Sequence, residues 1–218
     1  MNIANNVKFI REQIDSINPE VKIIAATKTQ TVEAIKQCMG TKLVLSAGEN
    51  RVQELIAKYD SSFRWDFIGT LQRNKVKYVV DKVELIHSVD KLSLAETINK
   101  ECKKINKIQN ILIEINAGEE ESKGGIKLSE LDEFLCSIAH LSQINVKGIM
   151  AVAPICDDDA ILKRIFDNVY EEFFKRKNNN FNILSMGMSN DYLTAVQCGA
   201  NVVRIGRGIF GERVYNNG

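Results

Sequence analysis

The sequence has few of the residues that build disulfide frameworks, metal centres or flexible linkers. Among 218 residues it contains two prolines, Pro19 and Pro154, and no segment rich in glycine and serine that would separate two domains. Two histidines, His87 and His140, are too few for a histidine-rich metal site. The cysteines are odd in number, scattered, and include no C-x-x-C pair: Cys38, Cys102, Cys136, Cys156 and Cys198. We therefore expect reduced thiols, with no disulfide framework and no metal.

Strong net charge and long apolar runs are also absent. The chain has 29 basic and 28 acidic residues, a net charge of +1, and this balance argues against a dedicated nucleic-acid or membrane surface. No apolar run approaches the ~18 residues that cross a bilayer, and residues 1–11 lack the apolar core of a signal peptide. With 44% hydrophobic and 26% charged residues, the composition predicts a cytoplasmic globular protein without nucleic-acid or membrane partners.

Short apolar segments alternate with helical patterns after an amphipathic N-terminal helix, predicted over Ile3–Asp15. Eight segments are predicted as strands: Val21–Thr27, Leu43–Ser46, Trp65–Gly69, Glu84–Val89, Asn110–Asn116, Asn145–Met150, Asn182–Ser185 and Asn201–Ile205. Seven are predicted as helices: Thr31–Met39, Arg51–Tyr59, Gln72–Val80, Lys91–Lys104, Leu128–His140, Asp157–Lys177 and Asp191–Cys198. Near-continuous apolar strands alternating with helices indicate a parallel sheet covered on both faces. The pattern predicts one α/β domain over residues 1–218, a (β/α)8 barrel of the TIM type rather than an open doubly wound sheet.

The last two predicted strands end in glycine-rich turns. Ser185–Asp191 reads SMGMSND and Val202–Gly211 reads VVRIGRGIFG, and each runs into a helix start. Free backbone N–H groups at such turns bind phosphate. The first strand ends at Lys28, and a closed barrel makes the first strand a neighbour of the last. A lysine beside a phosphate cradle predicts pyridoxal 5′-phosphate held as a Schiff base.

Arg204 follows the strand alternation and faces the side opposite to Val203 and Ile205. A buried guanidinium needs a partner, which is either a structural carboxylate or, in the functional interpretation, the pyridine nitrogen of the cofactor. An arginine there would keep that nitrogen unprotonated and weaken the ring as an electron sink. The adjacent G-x-G-x-x-G pattern over residues 206–211 does not predict dinucleotide binding, because a full βαβ unit would not fit in the residues that follow.

Other polar residues at the predicted strand ends have open roles. Glu49, Asn50 and Asn74 either contact the ring oxygen or a water, or cap the helices that follow. His87 is interpreted as a structural histidine rather than a site residue. The same ring of strand ends contains further residues: Gly69, Gln72, Ser88, Asn116 and Met150.

Several longer motifs occur in order along nearly the whole chain: Thr27-Lys28, Gly48–Glu54, Phe67–Lys75, Ile86–Asp90, Lys123–Gly125, Gly148–Met150, Ser185–Asp191 and Arg204–Gly211. On these motifs the chain resembles the pyridoxal phosphate homeostasis proteins, single-barrel relatives of alanine racemase. The resemblance implies a fold-type III pyridoxal phosphate barrel without the C-terminal β-domain. It departs from the family at two flanking positions: Ala47 replaces a frequent aromatic residue, and Asp66 replaces a frequent histidine.

The resemblance also implies the roles of site residues. Lys28 would form the Schiff base, Arg204 would lie near the pyridine nitrogen, and Ser189, Gly206 and the backbone of residues 207 and 208 would hold the phosphate. The full set of expected cofactor-binding residues is Lys28, Asn50, Met150, Ser189, Arg204, Gly206, Arg207 and Gly208.

The leading functional hypothesis is a monomeric protein that buffers pyridoxal phosphate or delivers it to apo-enzymes. The first alternative is a pyridoxal phosphate-dependent amino-acid racemase, which needs a second acid or base opposite Lys28. Related racemases supply a tyrosine from an added β-domain, whereas Tyr215 lies here in what reads as a short tail. The second alternative is a phosphosugar enzyme that uses the same late-strand phosphate site but leaves Lys28 and Arg204 without joint roles.

Overall fold

Eight parallel strands close into a barrel in chain order, with the last strand hydrogen-bonded to the first. The computed structural model describes residues 2–120, 123–154, 156 and 158–211. Its strands are β1 Lys22–Ala26, β2 Ser46–Glu49, β3 Trp65–Phe67, β4 Leu85–Val89, β5 Gln109–Asn116, β6 Ile144–Val152, β7 Ile183–Ser185 and β8 Val202–Ile205. The predicted (β/α)8 barrel is confirmed.

Helices connect the strands on the outside of the barrel. They are α1 Ile3–Asp15, α2 Val32–Gly40, α3 Val52–Lys58, α4 Leu92–Lys104, α5 Leu131–Ile138, α6 Asp159–Arg176, α7 Tyr192–Gln197 and α8 Arg207–Phe210, with 3₁₀ helices at Arg73–Tyr78 and Leu128–Glu130. In the part of the chain that is described, none of them combines the length and apolar character needed to cross a membrane.

The N-terminal helix α1 has the predicted bounds and braces the segment that follows β8. Asn2 caps the helix by accepting a hydrogen bond from the N–H of the first turn, and its buried face is apolar: Val7, Ile10 and Ile14. The Asn6 side-chain amide donates to the carbonyl oxygen of Ile209 at 2.8 Å. The first helix therefore holds α8 in place beside the barrel mouth.

The predicted second strand is wrong in its bounds. The apolar run Leu43–Ser46 leads into β2, and the strand itself contains the more polar residues Ser46–Glu49. Ser46 pairs with Ile24 of β1, and Ala47 pairs with Trp65 of β3. The apolar pattern misled because β2 borders a barrel interior that is partly polar, so its inward positions do not need apolar side chains.

Two predicted helices also differ from the structure. Within the predicted helix Gln72–Val80, residues Arg73–Tyr78 form a 3₁₀ helix that Val79 caps. Val76 and Val79 are three residues apart and both buried, which matches the three residues per turn of a 3₁₀ helix. The predicted Leu128–His140 helix divides into a 3₁₀ turn and α5. The first residue of the predicted Asp157–Lys177 helix lies outside the described residues, and α6 begins at Asp159.

The barrel has an apolar exterior layer and a mixed interior. Most buried apolar side chains pack between the strands and the helices. The interior holds two small apolar groups and several buried polar side chains: Ile24, Ile68 and Val202; Leu85, Leu112 and Met150; Ser46, Asp66, His87, Ser185 and Arg204. His87 of β4 contacts Ser185 of β7. These strands are not neighbours in the barrel, so this contact crosses its interior.

Candidate functional site

Lys28 lies just beyond the end of β1 and is half-buried. Side chains alternate between the two faces of a strand, and position 28 falls on the same face as the interior residues Ile24 and Ala26. The backbone immediately after it is constrained, because Thr29 has a φ of 66°, in the left-handed region that a β-branched residue rarely adopts. Such a conformation persists only where neighbouring contacts enforce it.

A second lysine, Lys58 of α3, provides those contacts. Its Nζ donates to the carbonyl oxygen of Thr27 at 3.0 Å, to Glu49 Oε2 at 3.1 Å and to Glu54 Oε2 at 2.5 Å. The same Glu54 oxygen accepts the backbone N–H of Thr29 at 2.7 Å. The backbone on both sides of Lys28 is thus fixed by one ion-pair network, which we call the lysine clamp: Thr27, Glu49, Glu54 and Lys58.

Glu49 is the buried centre of the lysine clamp. Its side chain is fully inaccessible, and it accepts hydrogen bonds from Thr27 Oγ1 at 2.9 Å and from the backbone N–H of Asn50 at 2.7 Å. Its carboxylate therefore joins the ends of β1 and β2, which resolves one of the open roles in favour of structure. Asn50 remains half-buried at the mouth, and its carbonyl oxygen lies 2.3 Å from where a Cβ on Gly69 would be.

The glycine-rich turns that were predicted to bind phosphate, which we call the cradle, lie on the opposite side of β1, at the ends of β7 and β8. The backbone N–H groups of Gly206 and Gly208 both donate to Ser189 Oγ, at 3.3 Å and 3.2 Å. Two amides that converge on one oxygen make an anion-binding concavity. The Arg207 side chain is exposed and donates to Asn190 Oδ1 at 3.1 Å.

Arg204 is buried inside the barrel below this cradle. Its Nη1 donates to the carbonyl oxygen and Oγ of Ser185 at 2.8 and 2.7 Å, and its Nη2 donates to the carbonyl oxygen of Ala151 at 2.9 Å. Burial lowers the pKa of Arg204 to about 10, against the opposing effects of Glu114 and Asp191. The hydrogen-bond partners of Arg204 are thus neutral oxygens. Among the described residues, this contradicts the interpretation of Arg204 as half of a structural ion pair.

The remaining expected residues lie at different depths. Met150 is 1% exposed, packs with Leu85 and Leu112, and pairs in register with Ser185, so it forms part of the floor below the mouth. His87 is fully buried in the interior, and its Nε2 has no hydrogen-bond partner among the described residues, so its interpretation as a structural histidine stays a prediction. Asn74 is exposed on the first 3₁₀ helix and lines a surface groove of about 800 Å³ with Lys91.

Two groups at the mouth were missed by sequence reasoning. Lys58 could have been found from its position four residues after Glu54, the spacing of a helical ion pair. Glu114 of β5 lies two residues after Leu112 and so falls on the same, inward face of the strand. Burial, with a smaller effect from Asp90, raises the pKa of Glu114 to about 7. The positive charge of Arg204 acts to lower the pKa of Glu114. Unlike Lys58, Glu114 has no partner at a helical spacing in the sequence, so no local pattern indicated it.

Comparison with known proteins agrees with this geometry. The family profile described as "Alanine racemase, N-terminal domain" matches residues 1–214. The pyridoxal phosphate homeostasis protein of Aquifex aeolicus is 41% identical over 201 residues, covering 89% of this chain and 88% of that protein. Its Escherichia coli K12 counterpart is 32% identical over 231 residues, with 98% of both chains covered.

A solved structure of PipY from Synechococcus elongatus with PLP bound superimposes with a TM-score of 0.83 and 29% identity, covering 96% of this chain and all of that one. The barrel, the order of its motifs and these relatives agree over almost the full length of the chain. The chain therefore belongs to the family of pyridoxal phosphate homeostasis proteins, which is built on the N-terminal domain of alanine racemase.

Proposed function

We propose that this protein binds pyridoxal 5′-phosphate as a Schiff base on Lys28 and buffers the cofactor or delivers it to apo-enzymes. The observation that carries this proposal is the position of the lysine clamp and the phosphate cradle on neighbouring strands. β1 pairs with β8 from Lys22 to Ala25, and a Cβ on Gly206 would lie 3.4 Å from Ala26. The PLP-bound PipY structure and the names of the curated relatives support the same ligand.

The residues present fit each part of this cofactor. The amides of Gly206 and Gly208 already converge on a hydroxyl oxygen of Ser189, as they would on a phosphate oxygen. Arg204 has five N–H donors, of which three are committed to Ser185 and Ala151, so two remain for a ring nitrogen. Asn50 and Met150 border the same mouth, and Lys28 supplies the amine.

The chemistry of the set favours storage over turnover. When bound, pyridoxal phosphate supplies an aldehyde for amines and a ring that can accept electrons. A guanidinium beside the ring nitrogen keeps its protons at neutral pH because its pKa is high, so the ring nitrogen stays unprotonated and the ring is a weaker electron acceptor. We further propose that residues 1–218 act as one monomeric cytoplasmic domain, so that a shallow mouth stays open for release of the cofactor.

The covalent link is tested by absorption spectroscopy. The protein is incubated with pyridoxal phosphate, dialysed and reduced with borohydride, and the labelled peptide is located by mass spectrometry. We expect a retained yellow colour with the label on Lys28, and loss of both in Lys28→Ala. Lys22→Ala, on the exposed start of the same strand, is the matched control. Colour that survives in Lys28→Ala would contradict the proposal, and binding of sugar phosphates without an adduct would favour the phosphosugar enzyme.

Delivery is tested separately with an apo-enzyme that needs the cofactor. Loaded protein is mixed with the apo-enzyme in the presence of a scavenger for free pyridoxal phosphate. Reactivation despite the scavenger indicates direct transfer, whereas reactivation that the scavenger abolishes indicates buffering through free cofactor. No reactivation under either condition would contradict both roles.

Glu114 gives the racemase alternative a specific residue to test. It lies on β5, four strands from β1 in a barrel of eight, and its pKa of about 7 suits proton transfer at neutral pH. If the protein is a racemase, loaded protein will convert L-alanine to D-alanine continuously, and Glu114→Gln will abolish this conversion. We expect no sustained conversion of L-alanine by the unmodified protein or by Glu114→Gln.

A further inference from the structure

We infer that Asp66, His87 and Ser185 form a relay across the barrel interior that positions the guanidinium of Arg204 toward the cofactor ring. This inference rests on the proposed function, because it assumes a ligand above Arg204. It assigns to three buried residues a role in tuning the bound cofactor, beyond filling the interior.

The first link joins Arg204 to Ser185. Nη1 of Arg204 donates to both the carbonyl oxygen and Oγ of Ser185, so this residue of β7 fixes the orientation of one end of the guanidinium. Both residues are almost fully buried, and hydrogen bonds from a charged donor are the stronger ones in proteins. Two backbone carbonyl oxygens, of Ser185 and Ala151, and the Ser185 hydroxyl together set the direction in which the arginine points, and the hydroxyl is the one side-chain group among these three acceptors.

The second link joins Ser185 to His87 and fixes the direction of every proton. His87 Nδ1 lies 3.2 Å from Ser185 Oγ. Because the arginine can only donate, Ser185 Oγ accepts from Arg204, and its own proton is free to be donated to Nδ1. Burial, together with Arg204, lowers the pKa of His87 against the opposing effect of Asp66. The neutral ring then carries its proton on Nε2.

The third link joins His87 to Asp66. Nε2 of His87 lies 3.8 Å from Asp66 Oδ2, and the same oxygen accepts the Ser46 hydroxyl at 2.6 Å. Arg64 Nε lies 3.6 Å from Asp66 Oδ1. Within the described residues, His87 Nε2 and Asp66 Oδ1 have no hydrogen-bond partner, although both side chains are fully buried.

Burying a polar atom without a hydrogen bond costs free energy, and nearby charges can offset this cost at His87 Nε2 and Asp66 Oδ1. The negative charge of Asp66 and the positive charge of Arg204 lie at the two ends of the His87–Ser185 pair, and each stabilises the polarity of the groups between them. We conclude that the relay orients Arg204 with its free N–H groups toward the mouth, while the carboxylates whose charges act on Arg204 are Glu114 and Asp191.

The test compares loaded variants by their affinity for pyridoxal phosphate and by the pH dependence of the visible absorption band. Ser185→Ala removes a charge-assisted hydrogen bond to Arg204, and His87→Leu removes the partner that orients the Ser185 hydroxyl, so we expect each to lower affinity about tenfold. We also expect each to move the midpoint of the spectral titration, because the orientation of Arg204 changes. His87→Asn keeps an acceptor near the position of Nδ1 and should restore much of both values.

Two further variants separate positioning from structure. Val203→Ala loosens β8 beside Arg204 without touching the relay, and it should leave the spectral midpoint unchanged. Asp66→Asn keeps the shape and removes the charge, so it should shift the midpoint in a protein that still folds. Unchanged affinity and titration in Asp66→Asn and His87→Leu, or an equal shift in Val203→Ala, would overturn the relay. Absence of any borohydride-fixed adduct in the unmodified protein would instead overturn the proposed function.

Discussion

The two sides of the barrel mouth are fixed in different ways. On the lysine side, charged side chains of β2 and α3 hold the backbone around Lys28, with Glu49 buried completely and Lys58 12% exposed. On the cradle side, backbone amides and glycines define the shape, and the nearest partners of Arg204 are neutral oxygens. The comparison teaches that the proposed nucleophile is held by side-chain ion pairs, whereas the proposed anion site is held by backbone groups.

This difference follows from what each side has to do. A flexible amine keeps its direction only if the backbone beneath it is rigid, and an ion-pair network supplies that rigidity at a strand end. An anion site works best when donors are preorganised and no carboxylate competes for them. Loss of a charged side chain on the lysine side should therefore affect folding first, whereas loss of a polar group on the cradle side should affect binding first.

The largest expected effect is on the lysine side. Lys58→Met leaves the buried carboxylate of Glu49 without its cation and should lower the free energy of unfolding by about 3–5 kcal/mol, the cost of breaking a buried pair. Denaturant unfolding measures this change, and the double variant Glu49→Gln/Lys58→Met should recover part of it. Lys163→Met removes an exposed helical ion pair and serves as the control, for which we expect hardly any change. An effect as small as that of the control would refute the clamp.

Gly187→Ala is expected to have the next largest effect, on the cradle side. Gly187 has a φ of 93°, and an added Cβ would lie 2.6 Å from the Cβ of Ala195. Left-handed strain and overpacking together should cost about 2–4 kcal/mol of unfolding free energy. Gly40→Ala, where a Cβ meets nothing within 4 Å, is the matched control. Equal stability of the two variants would show that the turn tolerates a side chain.

Glu114→Gln sharpens the comparison through pH. Because burial raises the pKa of Glu114 from 4.5 to about 7, the folded state binds a proton that the unfolded state releases, and stability falls as pH rises between these values. The variant should match the unmodified protein near pH 4.5 and exceed it above pH 7, by up to about 3 kcal/mol. Thermal unfolding across this range checks the prediction. A difference that does not change with pH would contradict it.

Ser189→Ala should have the smallest effect on folding and a clear effect on binding. It removes the hydroxyl on which the Gly206 and Gly208 amides converge, while the amides themselves remain. We expect about a tenfold loss of affinity for pyridoxal phosphate, corresponding to ~1.4 kcal/mol, and a smaller change in stability. Equilibrium titration measures the affinity. Ser137→Ala on α5, away from the mouth, should leave it unchanged.

Much of the fold was predictable, because each strand and helix has its own local pattern. Seven of the eight strands lie within about two residues of their predicted bounds, and α1 matches its prediction. The error at β2 arose where the strand contains Ser46, Gly48 and Glu49, since apolar periodicity fails beside a polar interior. The positions of Lys28, Ser189 and Gly206 at the ends of strands were predictable as well, because strand ends and glycine-rich turns are local signals, whereas their roles stay predictions.

The sequence by itself determined the alternation of strands and helices, the lysine at the end of the first strand and the glycine turns at the end of the last two. Only the tertiary structure decided which polar groups meet. Lys58 reaches Thr27 across 31 residues, and His87 reaches Ser185 across 98. Closure of the barrel brings these groups together. Hydrogen bonds between groups so far apart in sequence depend on distance in three dimensions, which residue spacing does not encode.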